Sequence, residues 1–115
     1  MIILDTNIIS EMMKPSPEKS VLDWLNDQET ASLYLATISI GEIGYGIRAL
    51  PAGRRRQLLS ESFEALLVAA FENRILGFDE TAARQYGETM SNHKEMERPL
   101  SCLDGQIIAI ARTNA

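Results

Sequence analysis

Three acidic side chains stand where they could do chemistry together. Asp5 follows the apolar run Met1-Ile2-Ile3-Leu4 and opens the polar triplet Asp5-Thr6-Asn7, while Glu42 and Asp104 close two similar stretches, Ser39-Ile40-Gly41-Glu42 and Ser101-Cys102-Leu103-Asp104. Carboxylates are hard oxygen ligands, and with no Cys or His cluster beside them they suit Mg²⁺ or Mn²⁺ rather than Zn²⁺. Such ions serve phosphate chemistry by activating water and neutralising the charge that develops on the phosphorus oxygens. Gathering three acids without a counter-ion is costly: unit charges about 5 Å apart repel by roughly 3 kcal/mol per pair at an effective dielectric of about 20. Three such pairs approach the whole stability of a small domain, about 5–15 kcal/mol, so a converged cluster needs a cation or protonation.

Glu42 and Asp104 also have a plainer reading. Ser-x-x-acid is the pattern of a capping box, in which a serine at the helix start and an acid three residues on satisfy free backbone donors and meet the positive end of the helix dipole. On spacing alone the capping box is favoured at both places. Asp5 shifts the balance, because the carboxyl ends of parallel strands are where open α/β sheets build their sites, and helices beside those strands can bring their first turns to the same edge.

The elements that must position these acids can be read from pattern. Ile2 to Leu4, Leu33 to Ala36 and Ile75 to Phe78 read as strands. Between them lie helical stretches. Val21, Trp24, Leu25 and Gln28 form one stripe of a helix over Glu18 to Gln28, which Pro15 and Pro17 bar from extending upstream. A second helix runs from about Ile38 to Leu50 and stops before the loop signal Pro51-Ala52-Gly53. Phe63, Leu66, Leu67, Ala70 and Phe71 follow the i, i+3, i+4, i+7, i+8 pattern of an amphipathic helix. Asp79 or Thr81 can cap a helix presenting Ala82, Ala83, Tyr86 and Met90 to a core and ending near His93; beyond Pro99 a last helix presents Leu103, Ile107, Ile110 and Ala111. Strands alternating with helices imply a parallel sheet joined by right-handed crossovers.

Taken in order, Ile3-Leu4-Asp5-Thr6-Asn7, Ser39-x-x-Glu42, Arg74-Ile75-Leu76-Gly77-Phe78-Asp79 and Asp104-Gly105-Gln106-Ile107-Ile108-Ala109-Ile110-Ala111 resemble the PIN-domain ribonucleases, and within them the VapC and FitB-type toxins of bacterial toxin–antitoxin pairs. The resemblance spans essentially all 115 residues. It implies one PIN-like α/β domain over residues 1–115, a three-layer fold whose central parallel sheet is flanked by helices. It also implies one or more strands after the last helix, with a fourth site acid near them; these are missing from the sequence, which runs on from that helix only to Arg112-Thr113-Asn114-Ala115. By the same resemblance Asp5, Glu42 and Asp104 are the metal-binding and catalytic acids, with Thr6 and Asn7 supporting them by hydrogen bonding. The expected activity is Mg²⁺- or Mn²⁺-dependent cleavage of RNA phosphodiesters by metal-activated water. A cognate VapB/FitA-like antitoxin is expected to restrain it, and the chain is expected to form a homodimer. The alternative is a catalytically inert, shortened PIN module that binds an antitoxin without cutting RNA.

Composition sets the frame for these expectations. A length of 115 residues with 45% hydrophobic content suits one compact domain with a real core. The net charge of −5 argues against binding nucleic acid by charge alone, so an RNA partner needs a local patch or metal ions. A lone Cys102, the absence of a leader-like segment before the first strand, and no apolar run near the roughly 18 residues of a membrane span point to a soluble cytoplasmic protein. Arg54-Arg55-Arg56, with Arg48 nearby, is the one dense basic patch; it could meet RNA phosphates or an acidic partner, but a solvated helix start is the favoured reading. His93 lies in a polar stretch and receives no role. Asp79 is taken as a cap, Glu11 as either a partner of metal-bound water or an exposed helix residue, and Trp24 and Tyr34 as core or interface aromatics.

Overall fold

The computed structural model describes residues 1–114 and holds three short parallel strands, β1 (Ile2–Ile3), β2 (Leu33–Ala36) and β3 (Ile75–Leu76), in the spatial order β1-β2-β3. Ile2 pairs with Leu33 and Ile3 with Tyr34 on one side of β2, and Leu35 pairs with Ile75 and Ala36 with Leu76 on the other. Parallel neighbours need a crossover long enough to return over the sheet. Here α1 (Thr6–Met12) and α2 (Lys19–Asn26) connect β1 to β2, and α3 (Thr37–Arg48) and α4 (Arg54–Phe71) connect β2 to β3. Two further helices, α5 (Glu80–Glu95) and α6 (Cys102–Asn114), follow β3.

The two-residue alternation of the strands sorts the core into two layers. Leu4, Leu33 and Leu35 pack with Ile9 of α1, Ile43 of α3, and Phe63 and Phe71 of α4 on one face, with Ile2 against them. Ala36 packs with Ala82 of α5 and Ile110 of α6 on the other, joined by Ile3, Leu76 and Phe78. The helices thus form a layer on each side of the sheet. The amphipathic pattern from Phe63 to Phe71 is seen as read: Phe63 and Phe71 are buried, and Leu66, Leu67 and Ala70 pack partly buried beside them.

Several elements differ from their sequence patterns for identifiable reasons. The strand expected over Ile75 to Phe78 ends at Leu76, because its partner β2 ends at Ala36 and turns directly into α3, leaving Gly77 and Phe78 nothing to pair with. Asp79 then caps α5, its carboxylate accepting from the Ala82 N–H at 2.9 Å. On α5 Ala82 and Thr89 are buried and Ala83 is exposed; the Thr89 hydroxyl accepts a 3.1 Å hydrogen bond from the Arg112 guanidinium of α6, which makes its complete burial tolerable. On α6 the inward residue near the start is Gly105, and Leu103 is 43% exposed. A side chain at 105 would put its Cβ 2.4 Å from Met90 Sδ and 3.1 Å from Tyr86 Cε2, so the Met90 side chain packs on α6 here because this position is bare and would have to shift for a larger residue. Trp24 is 42% exposed on α2, which removes it from the core and leaves the interface half of its reading.

Arg74 ties the end of α4 to the sheet. Its Nε donates to the Leu33 carbonyl at 2.9 Å and its Nη2 to the Ala70 carbonyl, while its backbone N–H closes on Phe71. Asn73 just before it takes the left-handed conformation (φ 65°), which asparagine tolerates better than most residues.

Because Phe71 is fully buried where α4 meets β2, truncating Phe71→Ala is expected to cost about 3–5 kcal/mol through lost burial and a residual cavity, whereas Val68→Ala, on the 65% exposed side of the same helix, should change stability by less than about 0.5 kcal/mol. Urea unfolding of the two variants measures the difference; equal losses would contradict this placement of the core.

Candidate active site

β1 delivers Asp5 to the carboxyl edge of the sheet, where the chain turns at once into α1. Asp5 is the N-cap of that helix: its carbonyl accepts from Ile8 and Ile9, and its carboxylate accepts from the Asn7 N–H at 2.9 Å. A carboxylate suits this position because it satisfies a free backbone donor and faces the positive end of the helix. Asn7 therefore acts on Asp5 through its backbone.

β2 ends one strand over, and α3 begins immediately after it at Thr37, with Ala36 as its N-cap. Ser39 is accordingly inside the first turn, so the capping box read at Ser39 and Glu42 does not form. Ser39 is fully buried and points instead at α1, where Thr6 Oγ1 lies 2.8 Å from Ser39 Oγ and 3.0 Å from Glu42 Oε1. The Glu42 carboxylate can only accept, so the one Thr6 proton goes to it and Ser39 donates to Thr6. A relay Ser39 to Thr6 to Glu42 joins α3 to the start of α1. Sequence reasoning missed Ser39 as part of this relay; its position one turn before Glu42, on the same helical face, was the available signal.

Asp104 comes from the other helical layer. At the start of α6 the Ser101 hydroxyl accepts from the Asp104 N–H at 3.1 Å, so here the serine of the Ser-x-x-acid pattern does cap its helix. The structure places Asp5, Glu42 and Asp104 on the wall of one pocket of about 550 Å³, together with Thr6 and Asn7; Ile3, Leu100, Ile107 and Ile108 supply its apolar sides. The three acids share this wall without closing on one another: among the described residues no three His, Cys, Asp or Glu side chains are grouped as ligands of one ion. Asp5 is turned toward Asn7 and Glu42 toward Thr6, each carboxylate taking a neutral donor. The donor set is all oxygen and all anionic, which fits a hard divalent cation that keeps much of its water.

Glu11 lies outside this pocket. Its carboxylate pairs with Lys14 at 2.6 Å and accepts from the Glu18 N–H at 3.0 Å, tying the end of α1 to the start of α2. These contacts, the Lys14 hydrogen bond foremost, hold the Glu11 carboxyl below the ordinary carboxylate range.

A family model described as "PIN domain" matches residues 2–115. The chain belongs to the PIN-domain family. Within it, the "VapC ribonuclease Y4jK" of Sinorhizobium fredii is 39% identical over 111 residues, covering 96% of this chain and 79% of that protein. The "Toxin FitB" of Neisseria gonorrhoeae is 35% identical over 115 residues, covering 100% of this chain and 83% of that one. The crystal structure of FitAcB from Neisseria gonorrhoeae superposes with a TM-score of 0.91 at 35% identity, covering 99% of this chain and 82% of that chain. This PIN domain therefore spans about four-fifths of the length of its relatives, and its α/β fold with a parallel sheet between helical layers is the PIN fold. Among the described residues no helix is long and apolar enough to cross a membrane.

Two measurements check the contacts of this PIN domain. Thr6→Val should destabilise by about 1–3 kcal/mol, since it strips Ser39 of its buried partner and Glu42 of a donor; Thr6→Ser, which keeps the hydroxyl, should recover most of the loss in a denaturant melt. The lowered Glu11 pKa means that the folded chain holds this proton less tightly than the unfolded one, so its contribution is present above the ordinary glutamate value of 4.5 and is lost as pH falls below it. Glu11→Gln should flatten the pH dependence of stability in that acidic window and, because Glu11 is also what raises the Lys14 pKa, remove the loss of stability as pH rises through the lysine range, leaving the slope near neutrality alone.

Proposed function

We propose that this PIN domain is a Mg²⁺- or Mn²⁺-dependent endoribonuclease toxin of a toxin–antitoxin system. The observation that carries the reading is the placement of Asp5, Glu42 and Asp104, drawn from three distant segments, on one pocket wall at the carboxyl edge of the sheet. Relatives named a VapC ribonuclease and a toxin FitB support the activity and its setting.

In this reading the three carboxylates hold the divalent ion, whose chemistry when bound is to activate water and neutralise charge on the phosphate under attack. The protein's own part is orientation. The Asn7 N–H fixes one Asp5 oxygen, Thr6 fixes one Glu42 oxygen with buried Ser39 behind it, and the Ser101 cap fixes the turn that carries Asp104. Partners that orient metal ligands in this way govern affinity and activity nearly as strongly as the ligands do. Ile3, Ile107 and Ile108 narrow the pocket with apolar surface and raise the strength of the interactions inside it. The macromolecular substrate is RNA. The restraining partner is a cognate VapB/FitA-like antitoxin, for which an acidic pocket invites a basic side chain, and a homodimer is the working assembly.

Asp5→Asn or Glu42→Gln is expected to lower Mn²⁺-dependent RNA cleavage by more than about a hundredfold, since losing even an outer partner of a metal ligand costs about 10–100-fold. The same variants should no longer arrest growth when expressed, while binding of the antitoxin largely survives. Unsubstituted protein that binds the antitoxin yet fails to cut RNA with added Mn²⁺ would replace this reading with that of an inert PIN module.

A further inference from the structure

A second groove lies beside the carboxylate pocket. It holds about 790 Å³ between α1, α3 and α4, and Thr6 and Glu42 line both spaces. Its floor is apolar, with Ile47, Leu50 and Leu58, and its far rim carries Arg54 and Arg55 from the first turn of α4. Both arginines are exposed, and neither forms an ion pair among the described residues. Across the groove Lys14 is already engaged by Glu11. The neighbouring arginines Arg48 and Arg56 differ: they line another hollow at the α3–α4 turn, together with the acids Glu61 and Glu64.

The sign of the charge therefore reverses across two neighbouring spaces that share Thr6 and Glu42, from carboxylates at Asp5 and Glu42 to the guanidiniums of Arg54 and Arg55, on a chain whose net charge is −5. A polyanionic strand lying in the acidic pocket is repelled there except where a bound cation offsets the acids, and it needs a positive hold close by. Resting on the function proposed above, we propose that Arg54 and Arg55 grip backbone phosphates of the RNA on one side of the cleaved bond, with the neighbouring bases over the apolar floor. Guanidinium groups suit this task because they meet phosphate through two parallel hydrogen bonds. The two arginines are binding and positioning residues, not catalytic ones.

The test measures binding of a mixed-sequence 20-nucleotide single-stranded RNA in EDTA, as a function of salt, and steady-state cleavage with Mn²⁺. Each phosphate contact on a single strand contributes about 0.7 to the slope of log affinity against log salt. The double variant Arg54→Gln/Arg55→Gln should make that slope shallower by about 1.4, weaken binding about tenfold at low salt, and raise KM with kcat little changed. Arg54→Lys/Arg55→Lys should restore most of the slope, and Arg84→Gln on α5 should match the unsubstituted chain. A slope and KM unmoved by the glutamine pair would overturn the inference, as would an unmoved slope together with lost binding of a synthetic Leu/Glu-patterned amphipathic helical peptide, which assigns the groove to a protein. Failure of the unsubstituted chain to bind or cut RNA would overturn the proposed function, and this inference with it.

Discussion

The placement of three carboxylates on one pocket wall is the constraint around which this molecule is arranged. Side chains at positions 5, 42 and 104 face one pocket, and each is steadied by a neutral donor or cap from its own neighbourhood: a backbone N–H for Asp5, a hydroxyl for Glu42, a serine-capped turn beneath Asp104. Such small dipoles hold the acids in place without neutralising them. The free energy that keeps the pocket together comes instead from the two apolar layers behind it, which fasten α1 and α3 to one face of the sheet and α5 and α6 to the other. The pocket is thus a place where the fold spends stability to keep three acids on one wall.

The parallel sheet makes this arrangement possible with few residues. Each strand is only two to four residues long, yet all three point the same way, so the helices that follow β1 and β2 begin at the same edge. Asp5 is the last residue before α1, and Glu42 sits in the second turn of a helix that starts at the residue after β2. Asp104 reaches the pocket by a different route, from a helix packed against α5, where Met90 lies against Gly105. A change in the α5–α6 spacing would therefore act on the pocket through Asp104, at a distance from the two other acids.

Much of this was legible in the sequence. An apolar run that stops at an acid marks Asp5, and the spacing from Phe63 to Phe71 marks the helix that closes the main core. The role of Ser39 was not legible, for a specific reason. A serine three residues before an acid is a cap only if the helix starts at the serine, and here β2 gives way to α3 at Thr37, two residues earlier, which is a tertiary fact. The two Ser-x-x-acid stretches look alike and behave differently: Ser101 caps α6, and Ser39 is buried against Thr6. Thr89 and Gly105 were hidden in the same way, since a threonine becomes a core residue only once Arg112 reaches it, and a glycine matters only once a neighbouring helix comes close.

The central claim is that the three acids form one divalent-cation site. Thermal or urea unfolding with increasing Mn²⁺ tests it most directly, because an ion that binds only the folded chain stabilises it by about 2.7 kcal/mol at a hundred times its dissociation constant. The account predicts that the unsubstituted chain gains stability with Mn²⁺ and that Asp104→Asn, whose substitution lies on the helical layer opposite Asp5 and Glu42, loses most of that gain. A gain of equal size in Asp104→Asn, or none in the unsubstituted chain, would contradict it.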